Sequence, residues 1–366
     1  MRNKSTDARP DQLYWHCYHD AATLSRAAAL RRVHHVPSTG VDLHVDVYAQ
    51  QDQAAPVLVL NHGGGGYGGL FVGLALAFHA RGYTVVVPDQ KGQGRSGGAQ
   101  GDFTVAESVQ NIVDVALWAR SQFGGNLFLS GGSIGGGLTY AAAAALHQHG
   151  LPPAAIVCLN LYDFGDPHTG LGFTRLSALA QIPGMAVLCK YASLALASLL
   201  PGLRLPYRPL ARFRHMLDER DQVDLPGGFY TKWQADPCTL RTVTARYFAS
   251  MLATPFCIPL ESNTDIPVLV INQKRDRMVS PQLTLDGYQR LAGPKKYVEI
   301  DCGHFSLQEA FIACLADLGD DWLQKHGQHG QHRQHEQHGE IRTAKPAPLA
   351  ACLQANRLLL SPVHSK

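Results

Sequence analysis

The sequence predicts an α/β protein with a doubly wound, mostly parallel sheet and an inserted helical cap. Three observations lead to this prediction. Short apolar runs recur along the chain, helical patterns separate them, and one interval between two runs is about a hundred residues long. Continuous apolar runs are typical of parallel strands, because helices cover both faces of such a sheet. Strands that alternate with helices indicate a doubly wound sheet.

Seven segments are predicted as strands. The first alternates apolar and polar residues, which predicts a strand with one face in solvent, and the others are short apolar runs. They are Val41–Tyr48, Val57–Asn61, Tyr83–Pro88, Asn126–Ser130, Ala155–Leu161, Ile266–Asn272 and Lys295–Ile300. The clearest helix is Thr104–Arg120, where Thr104 and Glu107 have the spacing of a capping box.

These elements divide the chain into four parts. Residues 1–40 are an N-terminal extension with a helical stretch near Ala21–Arg32, and residues 41–163 and 266–325 form the α/β core. The interval 164–265, called the cap segment below, is too long for a loop and is predicted to be a helical lid. Residues 326–366 form a His/Gln-rich tail, of which 326–348 are expected to lack fixed structure.

The composition excludes several classes of protein. Of the 366 residues, 45% are hydrophobic, which rules out wholesale disorder. The formal net charge is +3 and only 17% of residues are charged, so nothing indicates a nucleic-acid partner. The N-terminus lacks an apolar region typical of a secretory signal, and no uncharged apolar run reaches about 18 residues. We therefore expect a cytoplasmic protein without an integral membrane segment.

The sequence around Ser133 carries the main chemical signal. Gly131-Gly132-Ser133-Ile134-Gly135 matches G-x-S-x-G, and it lies between a predicted strand and a run of small residues that suits a closely packed helix. A nucleophilic serine on a sharp turn between strand and helix needs this context, because small neighbours let the backbone come close. The alternative is an ordinary glycine-rich turn.

A second glycine-rich segment, His62-Gly63-Gly64-Gly65-Gly66, follows the strand Val57–Asn61. Acyl transfer places negative charge on a carbonyl oxygen, and two backbone N–H groups can stabilise it. We assign these donors to Gly64 and Ile134, the residue after the serine. The alternative is a phosphate-binding loop, although neither a P-loop nor a dinucleotide-binding motif is present. His62 is expected to support this loop rather than act as a base.

A serine nucleophile needs a general base, and the base needs an acid that fixes its tautomer. The best candidate for the base is His304, which follows the last predicted strand in Cys302-Gly303-His304-Phe305. The candidate acid is Asp276, after the strand Ile266–Asn272, and its rival is Asp163. A surface histidine and a solvated loop carboxylate are the alternative interpretations.

With these motifs the sequence resembles the α/β-hydrolase superfamily, and more narrowly the branch of monoacylglycerol lipases, lysophospholipases and serine aminopeptidases. The matching pieces are HGGGG at 62–66, PDQKGQGRSGG at 88–98, GGSIGG at 131–136, KRDRMV at 274–279 and CGHF at 302–305. The resemblance extends from Val41 to Lys325. It implies a sheet of the eight-stranded type, the chain order serine, aspartate, histidine, and hydrolysis of an acyl ester. It does not specify the substrate.

Two features depart from that family. Lipases of this branch carry histidine before the nucleophile, whereas this chain has Gly132, and a Gly-Gly-Ser elbow is similar to that of prolyl-oligopeptidase-type serine peptidases. The His/Gln-rich tail has no counterpart there. Ester hydrolysis through Ser133 is therefore the predicted function, with a serine peptidase or amidase, an acyltransferase and a non-catalytic binding protein as alternatives.

The cap segment is predicted to shape the acyl pocket or to contact a lipid surface. Phe173, Tyr191 and Leu196 are the candidate substrate-binding residues, together with neighbouring leucines. The alternative is that these side chains only pack the cap segment against itself. We expect no cofactor and no catalytic metal, because a triad already supplies base and electrophile. The histidines of the tail could bind a transition metal, although a repeat without a site is the simpler interpretation.

Overall fold

The structure, a computed structural model, describes residues 15–337, with side chains up to Gly327. Eight strands form one sheet in the order β1-β2-β4-β3-β5-β6-β9-β10. β2 is antiparallel to β1 and to β4, and all other neighbours run parallel. The predicted doubly wound, mostly parallel sheet is therefore confirmed.

Apart from β1, the strands of the main sheet match the predicted runs of the sequence to within two residues. Those of the main sheet are β1 (Arg31–Ser38), β2 (Val41–Tyr48), β3 (Val57–Asn61), β4 (Thr84–Pro88), β5 (Leu127–Gly132), β6 (Ala155–Leu159), β9 (Val268–Gln273) and β10 (Lys295–Ile300). β3, β4 and β5 are buried along their whole length, as expected for strands with helices on both faces.

Two findings at the start of the sheet differ from the sequence analysis. β1 lies inside the predicted N-terminal extension and was not predicted as a strand. β2 was expected to expose its polar face, but six of its eight residues are buried. Asp46 pairs with Arg31 of β1 over 2.7 Å and with His44 over 2.9 Å, so the polar side chains are satisfied inside the protein.

The helices of the described region are α1 (Ala21–Leu30), α2 (Val72–His79), α3 (Val105–Gln122), α4 (Ile134–Gln148), α5 (Pro167–Gly172), α6 (Met185–Leu199), α7 (Tyr207–Leu210), α8 (Phe229–Ala235), α9 (Ala245–Ala253), α10 (Pro281–Arg290) and α11 (Glu309–Gln337). α3 begins where the capping box predicted, and the Thr104 hydroxyl accepts a hydrogen bond from the Glu107 N–H. Among the described residues, no helix is both long and apolar enough to span a membrane.

The cap segment lies between β6 and β9 and is mainly helical. It also contains a two-stranded sheet that the sequence did not predict, in which β7 (Arg204–Pro206) pairs with β8 (Thr242–Thr244). α6 packs on α9 through small residues, with Ala197 against Ala245 and Ala249. Small side chains permit this close approach between the two helices.

The C-terminal region is partly helical. α11 continues to Gln337, so residues 326–337 form a helix where fixed structure was not expected. His326 stacks on Trp322, with ring centroids 4.2 Å apart. The rest of the tail, and the proposed metal site on its histidines, lie outside the described residues and side chains.

Candidate active site

Three side chains that are far apart in the sequence meet where parallel strands end. Ser133 follows β5, Asp276 follows β9 and His304 follows β10. The Ser133 hydroxyl donates a hydrogen bond to Nε2 of His304 over 2.9 Å, and Nδ1–H of His304 donates to Oδ2 of Asp276 over 2.6 Å. Because Nδ1 holds its proton toward a carboxylate, Nε2 keeps the lone pair that can accept the serine proton.

Burial differs among these three residues. His304 and Asp276 are 5% and 7% exposed, whereas Ser133 is half-buried. The serine is therefore the member of the group that a ligand reaches first. A half-buried hydroxyl backed by a buried imidazole and carboxylate can act as a nucleophile, because the base and its acid are shielded from competing water.

The turn that carries Ser133 is strained and tightly packed. Ser133 has φ 58° and ψ −132°, a conformation that residues other than glycine rarely adopt. A Cβ at Gly135 would lie 2.5 Å from the carbonyl oxygen of His62, so only glycine fits at the start of α4. At Gly132 the nearest atom to such a Cβ would be 3.5 Å away, on Leu159. A Cβ at this position would have room. Lack of space at the Cβ therefore does not explain why this chain has Gly132 where lipases of the resembled branch carry histidine.

The Asp276 carboxylate is held in a fixed orientation. Its Oδ1 accepts hydrogen bonds from the backbone N–H groups of Met278 and Val279, both at 2.9 Å, which leaves Oδ2 for His304. The rival Asp163 is engaged elsewhere. Its carboxylate pairs with Arg290 over 2.9 Å and accepts from the Gly165 N–H. The structure therefore brings Asp276 to the imidazole and keeps Asp163 in a separate ion pair.

The two predicted donor residues lie beside each other next to the serine. Ile134 is the first residue of α4, and a Cβ at Gly64 would lie 2.5 Å from its side chain. The N–H groups of Gly64 and Ile134 have no backbone acceptor outside regular elements in the part of the chain that the structure describes. Ile134 lies at a helix N-terminus and Gly64 in the turn after β3, and backbone N–H groups in such positions favour a negative charge on a nearby oxygen.

His62 supports the glycine-rich loop. Its Nδ1–H donates to the carbonyl of Gly63 over 2.9 Å, and its Nε2 accepts from the N–H of Gln90 over 3.1 Å. Burial lowers the pKa of His62, so the imidazole stays neutral in the arrangement that these two bonds require. This geometry is that of a structural residue.

Cap residues that the sequence analysis did not single out enclose this loop. A Cβ at Gly64 would lie 2.6 Å from the hydroxyl oxygen of Tyr207, and one at Gly65 would lie 2.7 Å from the ring of Phe213. Burial raises the pKa of Tyr207 to about 12, so its phenol is uncharged. The N–H of Leu240 also donates to the carbonyl of Gly65 over 3.3 Å. The cap segment therefore packs against the glycine-rich loop, residues 62–66, which is called the donor loop below.

The cap segment also holds the loop that carries His304. Oδ2 of the buried Asp221 accepts from the Gly303 N–H over 2.5 Å, and its Oδ1 accepts from Arg275 over 2.8 Å. On the sheet side, the amide of Gln273 donates to the carbonyls of Gly303 and His304. The imidazole is therefore anchored from the cap segment and from the sheet together.

A buried carboxylate ties three further segments together. Oδ2 of Asp236 accepts hydrogen bonds from the hydroxyls of Tyr18 and Tyr67, at 2.8 and 2.6 Å. Tyr67 directly follows the glycine-rich loop, and Tyr18 belongs to the N-terminal extension. Asp236 therefore joins the cap segment to both.

The three cap candidates lie in different environments. Phe173 is buried and packs its ring edge against Tyr162, with centroids 4.4 Å apart. Leu196 packs between α6 and α9. Tyr191 is 64% exposed. No described contact joins any of them to Ser133, and Tyr207 and Phe213 contact the donor loop instead.

Metal ligands do not cluster in the part of the chain with described side chains, where no group of three or more His, Cys, Asp and Glu could hold an ion. The candidate site comprises a serine, an imidazole, a carboxylate and two backbone N–H groups.

Comparison with known proteins identifies the family of the chain. The family described as serine aminopeptidase, S33, matches residues 52–305, a range that includes all five candidate residues. The chain belongs to this family. Its fold is the α/β-hydrolase fold, as the order and direction of the eight strands also show. We found no match among curated proteins.

Solved structures resemble the chain in fold. The monoacylglycerol lipase of Paleococcus ferrophilus is 18% identical, with a TM-score of 0.59, over 78% of this chain and 99% of that one. A soluble variant of the monoglyceride lipase of Saccharomyces cerevisiae, in complex with a substrate analogue, is 15% identical, with a TM-score of 0.59, over 81% and 96%. Alpha/beta hydrolase domain-containing protein 10 from mouse is 15% identical, with a TM-score of 0.54, over 80% and 99%.

Proposed function

We propose that this S33-family protein is a serine hydrolase that cleaves a carboxylic ester through an acyl-enzyme on Ser133. The observation that carries the proposal is the continuous hydrogen-bonded chain from the half-buried Ser133 through His304 to Asp276, at 2.9 and 2.6 Å. The N–H groups of Gly64 and Ile134, for which the described residues supply no backbone acceptor outside regular elements, complete the set that acyl transfer requires.

In the acylation step Oγ of Ser133 attacks the ester carbonyl carbon, and Nε2 of His304 takes the hydroxyl proton. The negative charge of the tetrahedral intermediate lies on the former carbonyl oxygen, toward the N–H groups of Gly64 and Ile134. Asp276 stabilises the imidazolium through Nδ1–H. Collapse of the intermediate breaks the carbon–oxygen bond to the alcohol, which leaves with the proton from His304.

In the deacylation step a water molecule attacks the acyl carbon while His304 removes one of its protons. The second intermediate uses the same two N–H groups. Its collapse breaks the bond to Oγ of Ser133, returns the proton from His304 to the serine, and releases the carboxylic acid. The two steps together consume one ester and one water and yield one alcohol and one acid.

The names of the neighbours support a lipid-like acyl ester as the substrate, since two of them are lipases of monoacylglycerols. A second candidate function is cleavage of an amide by the same residues, which the family's description as an aminopeptidase supports. Rates on a matched pair of p-nitrophenyl esters and peptide anilides separate the two. Esters of short and long acyl chains then define the substrate, and a steep preference for acetate would remove the lipid-like ester.

The assignment of Ser133 is tested by a fluorophosphonate probe and by Ser133→Ala. We expect stoichiometric labelling of Ser133 and a loss of at least about three orders of magnitude in ester turnover, as when a triad nucleophile is removed. Ser130→Ala, at a buried serine of β5, is the matched control and keeps its activity. Turnover by Ser133→Ala at the wild-type rate would contradict the proposal. Transfer of the acyl group to an added alcohol in preference to water would identify an acyltransferase.

A further inference from the structure

Exposed apolar side chains are concentrated on one part of the cap segment. Eleven large hydrophobic residues are exposed in the described region, and eight of them lie between residues 176 and 203. They are Leu176, Ile182, Val187, Leu188, Tyr191, Leu199, Leu200 and Leu203, with exposures from 40% to 80%. Single exposed apolar residues are normal on a protein surface, but a concentration of this kind marks an interaction site.

α6 shows how this surface is built. The exposed residues of the helix recur at helical spacing and include no charged side chain; they are Val187, Leu188, Tyr191, Ala192, Ala195, Ser198 and Leu199. The opposite face is buried through Ala186, Ser193 and Ala197, and part of it packs on α9. A helix that packs inward through small residues and presents its large apolar residues outward has the reverse of the pattern of a solvated helix.

The same segment carries an unbalanced positive charge. Residues 167–217 contain six Lys and Arg and no Asp or Glu; the six are Arg175, Lys190, Arg204, Arg208, Arg212 and Arg214. None of them forms a salt bridge with any described residue. Arg204, Arg208 and Arg212 donate hydrogen bonds to uncharged protein groups. Arg175 and Arg214 are exposed. Elsewhere in the described region Arg31, Arg246, Arg275 and Arg290 each pair with a carboxylate.

We propose that this surface, residues 175–214 of the cap segment, docks on an anionic lipid surface. An uncharged apolar helix face fits a membrane interface when cations that form no salt bridge with a described residue lie in the same segment. The apolar side chains enter the acyl boundary, and exposed cations such as Arg175 and Arg214 meet negative headgroups. A second copy of the chain fits less well, because two such surfaces would bring like charges together. The same segment clamps the donor loop through Tyr207 and Phe213, so docking places the site next to the lipid.

This docking goes beyond the proposed function, because it requires no hydrolysis. The test therefore measures binding of the full chain to vesicles of ether-linked lipids, which an esterase cannot cleave. Vesicles of phosphatidylcholine are compared with vesicles that also contain about 30 mol% phosphatidylglycerol. We expect binding to the anionic vesicles to be at least about tenfold tighter, and to weaken at about 1 M salt, where charges are screened within a few ångströms. Ser133→Ala is expected to bind as the wild type does, whatever its catalytic role.

Two pairs of variants locate the surface. Leu188→Asp, in α6, and Arg175→Gln should each weaken binding to anionic vesicles severalfold or more, since one places a charge in the acyl boundary and the other removes a cation. Their matched controls are Leu117→Asp, at a residue 37% exposed in α3, and Arg26→Gln in α1, and both should bind normally. Leu199→Ser, at a residue 80% exposed, repeats the apolar test without a new charge.

Several results would overturn the docking proposal. These are an absence of binding to either vesicle, equal binding to both, or anionic binding that Leu188→Asp and Leu199→Ser leave unchanged. Self-association in sedimentation experiments that Leu188→Asp abolishes would identify a second copy of the chain as the occupant. Each variant is first compared with the wild type in thermal unfolding, so that a loss of binding is attributed to the surface only when the fold is intact.

Discussion

Replacement of Asp276 by asparagine tests the candidate site most directly, because the structure dictates how the new amide must orient. The backbone N–H groups of Met278 and Val279 both point at the Oδ1 position, each at 2.9 Å. Only the amide oxygen can accept from them, so the amide nitrogen must take the place of Oδ2 and face His304. An N–H donor there requires Nδ1 of His304 to become the acceptor, which moves the ring proton to Nε2.

With its proton on Nε2, the imidazole donates toward Ser133 and cannot take the serine proton. The expected loss is about 10⁴ in kcat, the size found when the acid of such a triad is replaced by its amide and the wrong tautomer results. It corresponds to about 5 kcal/mol in the activation barrier. The fold should survive, because the amide oxygen retains both backbone hydrogen bonds. The assay is p-nitrophenyl ester turnover, with thermal unfolding of the same preparation as a check.

The matched control is Asp163→Asn, at the other carboxylate that the sequence offered. Asp163 pairs with Arg290 and does not contact the imidazole, so we expect kcat to change by less than about tenfold, with some loss of stability. Turnover by Asp276→Asn within tenfold of the wild type, in a folded protein, would refute the reasoning from the tautomer. A large loss in Asp163→Asn alone would transfer the role to that residue.

Three further predictions concern the residues around the site. Asp221→Asn should lower kcat by about tenfold to a hundredfold with little change in KM. The reason is that the amide nitrogen must face either Arg275 or Gly303, both of which are donors, and this loosens the loop that carries His304. Steady-state kinetics measure kcat and KM separately, and a change confined to KM would contradict the prediction. Gly135→Ala should destabilise the protein by about 1–3 kcal/mol in urea unfolding, since its Cβ would lie 2.5 Å from a backbone oxygen. Gly132→Ala is the control that should be tolerated, because the nearest atom to its Cβ would be 3.5 Å away. Equal losses in the free energy of unfolding would show that the turn at Ser133 is not tightly packed. Burial lowers the pKa of His62, so below pH about 6.5 the unfolded chain binds a proton that the folded protein does not, and stability falls as the pH drops. In His62→Gln the free energy of unfolding should therefore decline less steeply between about pH 6.5 and 5. Identical slopes for the variant and the wild type would argue against a neutral buried His62.

The cap segment gives these predictions a common structural basis. It contacts the donor loop through Tyr207 and Leu240 and the His304 loop through Asp221, so both sides of Ser133 depend on its position. Its outer face carries the exposed apolar residues and cations of the docking surface, among them Leu188 and Arg175. A displacement of the cap segment at a lipid surface would therefore alter the geometry around the serine, because the same elements form both.

The sequence by itself determined seven strands of the main sheet and the candidate chemical groups. Val57–Asn61 and Lys295–Ile300 agree with the structure at both ends, and Thr104 caps α3 as its spacing predicted. These features depend on short-range patterns, namely runs of apolar residues, glycines at a turn and a side chain three residues from its partner. Because neighbours in sequence are neighbours in space, such patterns can be read without knowledge of the fold.

Only the tertiary structure decided which distant groups meet. It placed Asp276 rather than Asp163 at His304. It set Tyr207 and Phe213 against the donor loop, where the sequence had suggested Phe173 and Leu196. It also added β1 to the sheet as the antiparallel partner of β2. It also turned the large apolar residues of α6 outward. Contacts between segments a hundred residues apart depend on how whole helices and strands pack, and periodicity within one segment does not record which partner its face will meet.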